Sequence, residues 1–400
     1  MVIANWFVNQ IDIYMGLNDE TFSKQFYYST GINSNPTMVA VNDLNNDFHL
    51  DIAVANYGTH SIRIFYGFGN GSFKNQIEIS TGISRPISVD LIYMNNDTFI
   101  DIIIINYGTN NIGIFFSNQN NSFHDQILIS TGINSQPTSI AIGYLNSDQF
   151  LDIVITNYGT KMICVMLNDG NGTFSKQIFY STGSSSPYSI GIDDFNDDNQ
   201  LDLFIINQVI VLYLQDEIGI LLGNGNGSFS TTLTYKTNSD PRNVIVADFN
   251  NDNQMDLAVA NYVSHNVSIF IGYGNGSFAQ QVTYSVDFYP YGLTVGDLNN
   301  DNRLDIIVAT LALSTVTVLL GYGNGSFSDK QSFPVGSLPL FVAIGDLNND
   351  NYPDIIVANL GIHNIGIFFG YGNFTFTNQI TYSTGRNSFP SSLATGYFNF

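Results

Sequence analysis

The chain is short of cysteine, of positive charge and of long apolar runs. A single cysteine, Cys164, excludes any disulfide within the chain. Its neighbours Met162-Ile163-Cys164-Val165-Met166 read as a strand with a buried, inert thiol. Only 11 lysines and arginines stand against 33 aspartates and glutamates, for a formal net charge of −22 over 400 residues. That balance excludes a nucleic-acid partner, because phosphate recognition needs a basic patch. No apolar run reaches the ~18 residues of a membrane-spanning helix, and the stretch Val209 to Leu214 is cut by Gln215, Asp216 and Glu217. The opening Met1-Val2-Ile3-Ala4-Asn5-Trp6 lacks the basic start and apolar core of a signal peptide. Glutamate is confined to Glu20, Glu78 and Glu217, and histidine to His49, His60, His124, His265 and His363. With so few glutamates and histidines, the expectation is a protein that is not an enzyme. His60, His265 and His363 share one turn position, where other units carry Asn110 or Lys161. It reads as a tolerant surface turn.

What the chain has in abundance is repetition. Eight of its 10 prolines fall in one register, Pro36, Pro86, Pro137, Pro187, Pro241, Pro290, Pro339 and Pro390, with steps of 50, 51, 50, 54, 49, 49 and 51. A phenylalanine after a Gly/Asn turn keeps the same count: Phe22, Phe73, Phe123, Phe174, Phe229, Phe278, Phe327 and Phe376. Each unit reads as four short strands. In the unit from Pro339 these are 340–344, 354–358, 364–369 and 377–383. The second is apolar on both faces, as a strand sandwiched between neighbouring sheets must be. The fourth alternates polar with apolar, as an outer edge does. Turns such as Gly274 to Ser277 provide the positive φ of a tight hairpin. Four strands in about 50 residues is a propeller blade, because one sheet cannot bury both its faces and stacked sheets can. The fold class is therefore all-β, a β-propeller of four-stranded antiparallel blades. Eight units give seven or eight blades. Val2 to Trp6 matches a second strand and Leu393 to Tyr397 a first strand, so the two could close one blade. The abrupt end at Asn399-Phe400 supports the competing expectation, a single propeller domain cut from a longer chain.

The acids concentrate between the first and second strands. Asp346, Asn348, Asp350 and Asp354 occupy positions one, three, five and nine of a short loop. Oxygen side chains at that spacing can converge on a hard cation, with the carbonyl at position seven adding a ligand, and Ca2+ takes six to eight oxygens. The same pattern recurs as Asp297, Asn299, Asp301, Asp305; as Asp248, Asn250, Asp252, Asp256; and as Asp194, Asn196, Asp198, Asp202. All four have Asn at position six, where a sharp turn is needed (Asn351, Asn302, Asn253, Asn199). A fifth, Asp43, Asn45, Asp47, Asp51, has Phe48 there. Two loops are degraded: Tyr93 and Tyr144 replace the first acid and leave Asn95, Asp97, Asp101 and Asn146, Asp148, Asp152. An eighth begins with Tyr397. Asn/Asp-rich hairpin turns are the alternative, but plain turns do not call for three carboxylates in one loop.

The strings Val342-Ala343-Ile344-Gly345-Asp346-Leu347-Asn348, Asp354-Ile355-Ile356-Val357-Ala358-Asn359 and Gly323-Asn324-Gly325-Ser326-Phe327 resemble the FG-GAP or VCBS repeat family, including the integrin α-subunit propeller. The resemblance covers nearly the whole chain. It implies calcium on one face of the propeller and a partner on the other. Integrin-type rings have seven blades, and the family's loop often carries Asp at position three and Gly at six; Asn fills both here. The expected function is a calcium-binding extracellular or cell-surface recognition scaffold. A lectin-like carbohydrate binder and the non-catalytic propeller of a secreted enzyme are alternatives. The partner would be a protein or a carbohydrate, met by a ring of Tyr57, Tyr107, Tyr158 and Tyr262 that follow the second strands. Asn-Tyr ending a strand is the plainer explanation of that ring. Asn-x-Ser/Thr occurs at Asn70, Asn96, Asn120, Asn171, Asn226, Asn266, Asn275, Asn324 and Asn373, mostly in turns that need this sequence in any case.

Overall fold

The computed structural model describes residues 1–16, 22, 26–74, 76–95, 97–118, 122–183, 185–208, 216–230 and 233–394, without the side chains of residues 175, 208 and 391. The stretch Val209 to Leu214, Asn96, Asn120, Tyr397 and the terminal Asn399-Phe400 lie outside the described residues.

The strands form eight four-stranded antiparallel sheets, the blades of a β-propeller. Seven take their strands in sequence order, with first strands Pro36–Asn42, Pro86–Ile92, Pro137–Gly143, Ser186–Asp193, Pro241–Ala247, Pro290–Gly296 and Pro339–Gly345. The remaining blade joins Val2–Asn5, Gln10–Ile13 and Phe26–Ser29 to Pro390–Ala394, which pairs with Val2–Asn5 in the register Val2↔Ala394 and Ile3↔Leu393. The N- and C-terminal strands therefore complete one blade, and there are eight blades, not seven. We number this blade first and the others in chain order.

The chain divides into two compact units. One holds Met1–Leu17, Phe22–Ser181 and Asn387–Phe400, and the other Thr182–Arg386. Each contains four blades. Within each unit the apolar clusters lie between neighbouring blades. Val2, Ala4, Ile11 and Ile13 pack with Val39, Ile52, Val54 and Phe65 in the first unit. Phe204, Ile218 and Ile220 pack with Leu257, Val259 and Phe270 in the second. Second strands carry this packing. Asp51–Asn56, Asp101–Asn106, Asp256–Asn261 and Asp354–Asn359 are buried at every position. Each fully buried Ile or Val there contributes about 1.5–3 kcal/mol over its exposed state. In such a run β-branched residues can face both neighbours, which is why the sequence shows no alternation.

The unit from Pro339 follows the expected order but not every bound. Its strands are Pro339–Gly345, Asp354–Asn359, Asn364–Phe368 and Ile380–Ser383. The fourth starts later than expected because Phe376 leaves the ladder after one bridge to Gly370. Single 3₁₀ turns, Tyr107–Thr109 and Leu360–Ile362, are the described helical segments. Cys164 is fully buried, and desolvation pushes its thiol up to about 12.

Candidate functional site

The acidic loops connect first to second strands, and five of them close through the same hydrogen bonds. In the loop from Asp297, one oxygen of Asp297 accepts the N–H of Asp301 (3.0 Å) and the other that of Asn302 (2.7 Å). Asn299 Oδ1 accepts the Asp301 N–H as well, and its amide donates to Asp301 Oδ2 (3.1 Å). Asp301 Oδ1 in turn accepts the N–H of Arg303. Asp43, Asn45 and Asp47 repeat this scheme, as do Asp194, Asn196, Asp198; Asp248, Asn250, Asp252; and Asp346, Asn348, Asp350. Position six is left-handed in all five, including Phe48 (φ 65°), which stands 85% exposed. The Phe48 loop therefore closes as the Asn loops do. Position four is left-handed too, at Asn46, Asp197, Asn251, Asn300 and Asn349. That second turn was missed in the sequence, although Asn or Asp at each place was its signal.

Position nine has a separate task. Asp51, Asp202, Asp256, Asp305 and Asp354 are fully buried at the start of the second strand. One oxygen of Asp305 accepts the N–H of Leu298 in its own loop (2.9 Å), and the other that of Gly321 at the turn after the third strand (2.9 Å). Every blade with an acidic loop repeats this strut, including the degraded ones, where Asp101 holds Met94 and Ser117 and Asp152 holds Leu145 and Asn168. Burial, the largest effect, and the neighbouring carboxylates push Asp202, Asp256, Asp305 and Asp354 up to about 6 and Asp51 to about 7. The degraded loops keep the turn of Asn95 into Asp97 and of Asn146 into Asp148, but Tyr93 and Tyr144 point outward, 47% and 56% exposed. Among the described residues, no three His, Cys, Asp or Glu side chains converge as a ready metal cluster.

The strut places the first-to-second and third-to-fourth turns at one end of each blade. The other end joins second-to-third turns to fourth-to-first loops. There several blades put an acceptor at the histidine position, while Lys161 and Ser314 fill it in others. His60 Nδ1 accepts the N–H of Arg85 (3.2 Å), and His265 Nδ1 that of Tyr289 (3.1 Å). Asn9 and Asn110 do the same for Asn35 and Gln136 (both 2.9 Å). In these four blades the acceptor holds the loop leading into the next blade. The partner lies about 25 residues downstream, so periodicity within one unit gave no sign of it.

Of the four expected tyrosines, Tyr57 tilts against Trp6 (5.4 Å) beneath Arg85 (5.5 Å). Tyr262 packs on Tyr289 (4.9 Å) beneath Arg242 (5.1 Å). Tyr107 opens a 3₁₀ turn, and the Tyr158 N–H is bound to the Gln136 carbonyl (3.2 Å). Among the described residues no ring contact joins Tyr57, Tyr107 and Tyr158 to one another. The Asn-x-Ser/Thr turns are bound internally: Asn324 Oδ1 accepts both the N–H and the O–H of Ser326, as Asn70, Asn226 and Asn275 do for their serines.

Comparison with known proteins agrees with this architecture. No curated protein matches the chain in sequence at a significant level. Among solved structures, dihydro-heme d1 dehydrogenase NirN is similar over 96% of this chain and 75% of its own, with TM-score 0.61 and 10% identity. Virginiamycin B lyase from Staphylococcus aureus is similar over 90% and 95%, with TM-score 0.50 and 13% identity. BBS1N in complex with ARL6DN is similar over 80% and 88%, with TM-score 0.52 and 12% identity. At such identities the likeness is one of fold alone. The model of the FG-GAP-like repeat matches residues 43–104, 93–155, 144–205, 206–259, 251–308 and 297–357. Five of the six copies begin at or within an acidic loop, the copy from 206 begins in the second strand Asp202–Gln208, and together they span well over half of the sequence. This chain belongs to the FG-GAP-like repeat family.

Proposed function

We propose that this chain is a calcium-binding recognition scaffold, without catalytic activity of its own, that works outside the cell or at its surface. The observation that carries the reading is the fivefold repetition of one donor set. Each loop offers carboxylates at positions one, five and nine, an amide oxygen at three and a backbone carbonyl at seven, and these hard oxygens suit Ca2+. The position-nine carboxyl is pushed up partly by the acids at positions one and five, and a bound cation would relieve that repulsion. A cation would share oxygens that now accept backbone N–H groups, and carboxylates have lone pairs for both. Asn at position three lowers the charge of the loop and fits the weaker, millimolar class of site found outside cells. The loops of Asn95 and Asn146, one carboxylate short, would stay empty where the other five fill.

Absence of catalysis is supported by how the reactive side chains are used. His60 and His265 hold backbone N–H groups, and Cys164 is buried. Partner binding falls to the blade ends away from the calcium loops.

Thermal melts in chelator and in millimolar calcium test the reading. At calcium ~100 times the dissociation constant, each filled site adds about 2.7 kcal/mol, so the midpoint should rise by several degrees. An unchanged midpoint removes calcium from the proposal. Asp350→Ala should lower the stoichiometry in titration calorimetry by one site and leave the others, because blades interact only with their neighbours.

A further inference from the structure

The sixth and seventh blades bring together aromatic and polar side chains that neither the calcium loops nor the blade packing uses. Phe288 and Tyr289 lie in the loop between these blades, 50% and 39% exposed. His265 stands edge-on to both rings (4.7 and 4.9 Å) and fixes the loop through the Tyr289 N–H. Tyr262 extends the apolar surface, tilted 32° against Tyr289. Beside it the guanidinium of Arg242 lies over the Tyr262 ring and is paired with Asp240 (2.8 Å).

A register explains why the polar groups gather here. The residue after the proline on each first strand is Thr37, Ile87, Thr138, Tyr188, Arg242, Tyr291 or Leu340 in the second to eighth blades. Three consecutive blades carry Tyr188, Arg242 and Tyr291 there, and the two phenols and the guanidinium lie near one another. The result is an aromatic cluster, with Phe288 and Tyr289 its exposed rings, bordered by groups that both donate and accept.

We propose that this surface is a binding site for neutral carbohydrate. It rests on the scaffold reading above and names the class of ligand. The C–H face of a pyranose covers an aromatic ring, and its hydroxyls pair with planar groups of fixed orientation. Arg242 is neutralised by Asp240, and buried Asp216 accepts the Asp240 N–H close by. An acidic sugar would meet those two carboxylates and gain no free cation. A proline-rich peptide would cover the rings, but prolines have no N–H for Asp240. Hydroxyl groups serve donor and acceptor alike.

The test is an array of neutral, sialylated, sulfated and polyproline probes, read with the labelled full chain in calcium and again in chelator. Neutral glycans should be retained. Tyr289→Ala and Arg242→Met should each weaken retention at least tenfold, while Tyr289→Phe and Tyr57→Ala keep it within about twofold. The melting midpoint of each variant shows whether it folds. Retention of acidic glycans only, of polyproline only, or of no probe overturns the proposal. So does neutral-glycan binding that is indifferent to Tyr289→Ala and Arg242→Met. If calcium leaves the melt unchanged while neutral glycans still bind these residues, the loop reading falls and this one stands. Calcium stabilisation without glycan binding removes this one alone.

Discussion

The carboxylate of Asp305 accepts one backbone N–H through each oxygen, from Leu298 and from Gly321, and is fully shielded from water. Removing it leaves two buried donors without partners, at about 1–3 kcal/mol each. Asp305→Ala should therefore cost about 2–6 kcal/mol in urea unfolding, even in chelator. Asp305→Asn keeps one acceptor and should cost about half as much. Equal, small effects of both would mean that the residue serves only a cation. The spacing made the ninth position readable as a ligand, but not as a strut. The Gly321 N–H is 16 residues away, and only the fold brings it near. The same limit hid His265, whose partner lies in the loop leading into the next blade, and the Tyr188, Arg242 and Tyr291 arc. Those three were visible in the proline register, yet nothing in the sequence alone said that adjacent blades present that position side by side.

At the scale of the strand and turn, the phenylalanine register has a physical cause. Phe327 leaves its own blade and packs edge-on against Tyr284 on the outer strand of the preceding one (5.4 Å), and the Tyr284 hydroxyl accepts the Phe327 N–H (3.2 Å). Phe73 with Tyr28 and Phe278 with Tyr235 repeat the contact. In the last blade Phe376 meets Phe333, which keeps the ring contact and gives up the hydrogen bond. The two contributions can be separated. Tyr284→Phe should cost about 1 kcal/mol for the lost bond, and Phe327→Ala about 3–5 kcal/mol for the emptied site. Chemical denaturation of both variants, with Phe333→Tyr expected to gain about 1 kcal/mol by restoring the bond, measures them; a larger loss from Tyr284→Phe would contradict the assignment. Strand order and turn positions were legible because each unit repeats them, whereas eight units left seven or eight blades open until the pairing of Val2–Asn5 with Pro390–Ala394. The late start of the fourth strand at Ile380 was not, because the departure of Phe376 from the ladder serves the neighbouring blade.

Over the whole molecule, a net charge of −22 meets a set of buried aspartates held above the ordinary carboxylate range. Asp202, Asp256, Asp305 and Asp354 lie at about 6, against the ordinary carboxylate value of 3.8. Between those limits the folded chain binds protons that the unfolded chain does not, so stability rises as pH falls from 7 toward 4 and is lost again as pH climbs through 6. Melts in chelator should therefore show a higher midpoint near pH 5 than near pH 7.5. Saturating calcium, which keeps the carboxylates ionised, should flatten or reverse the trend. A midpoint in chelator that falls on acidification would contradict these shifts. The pairing of Val2–Asn5 with Pro390–Ala394 carries a consequence in time. During synthesis at roughly 5–20 residues per second, the first blade must wait about 20–80 s for its last strand. Until residues 390–394 emerge, the edge of Val2–Asn5 is open to pairing with another nascent chain. Crowding on one messenger, rather than any weakness of the finished fold, is then the stage at which this protein is most exposed to misassembly.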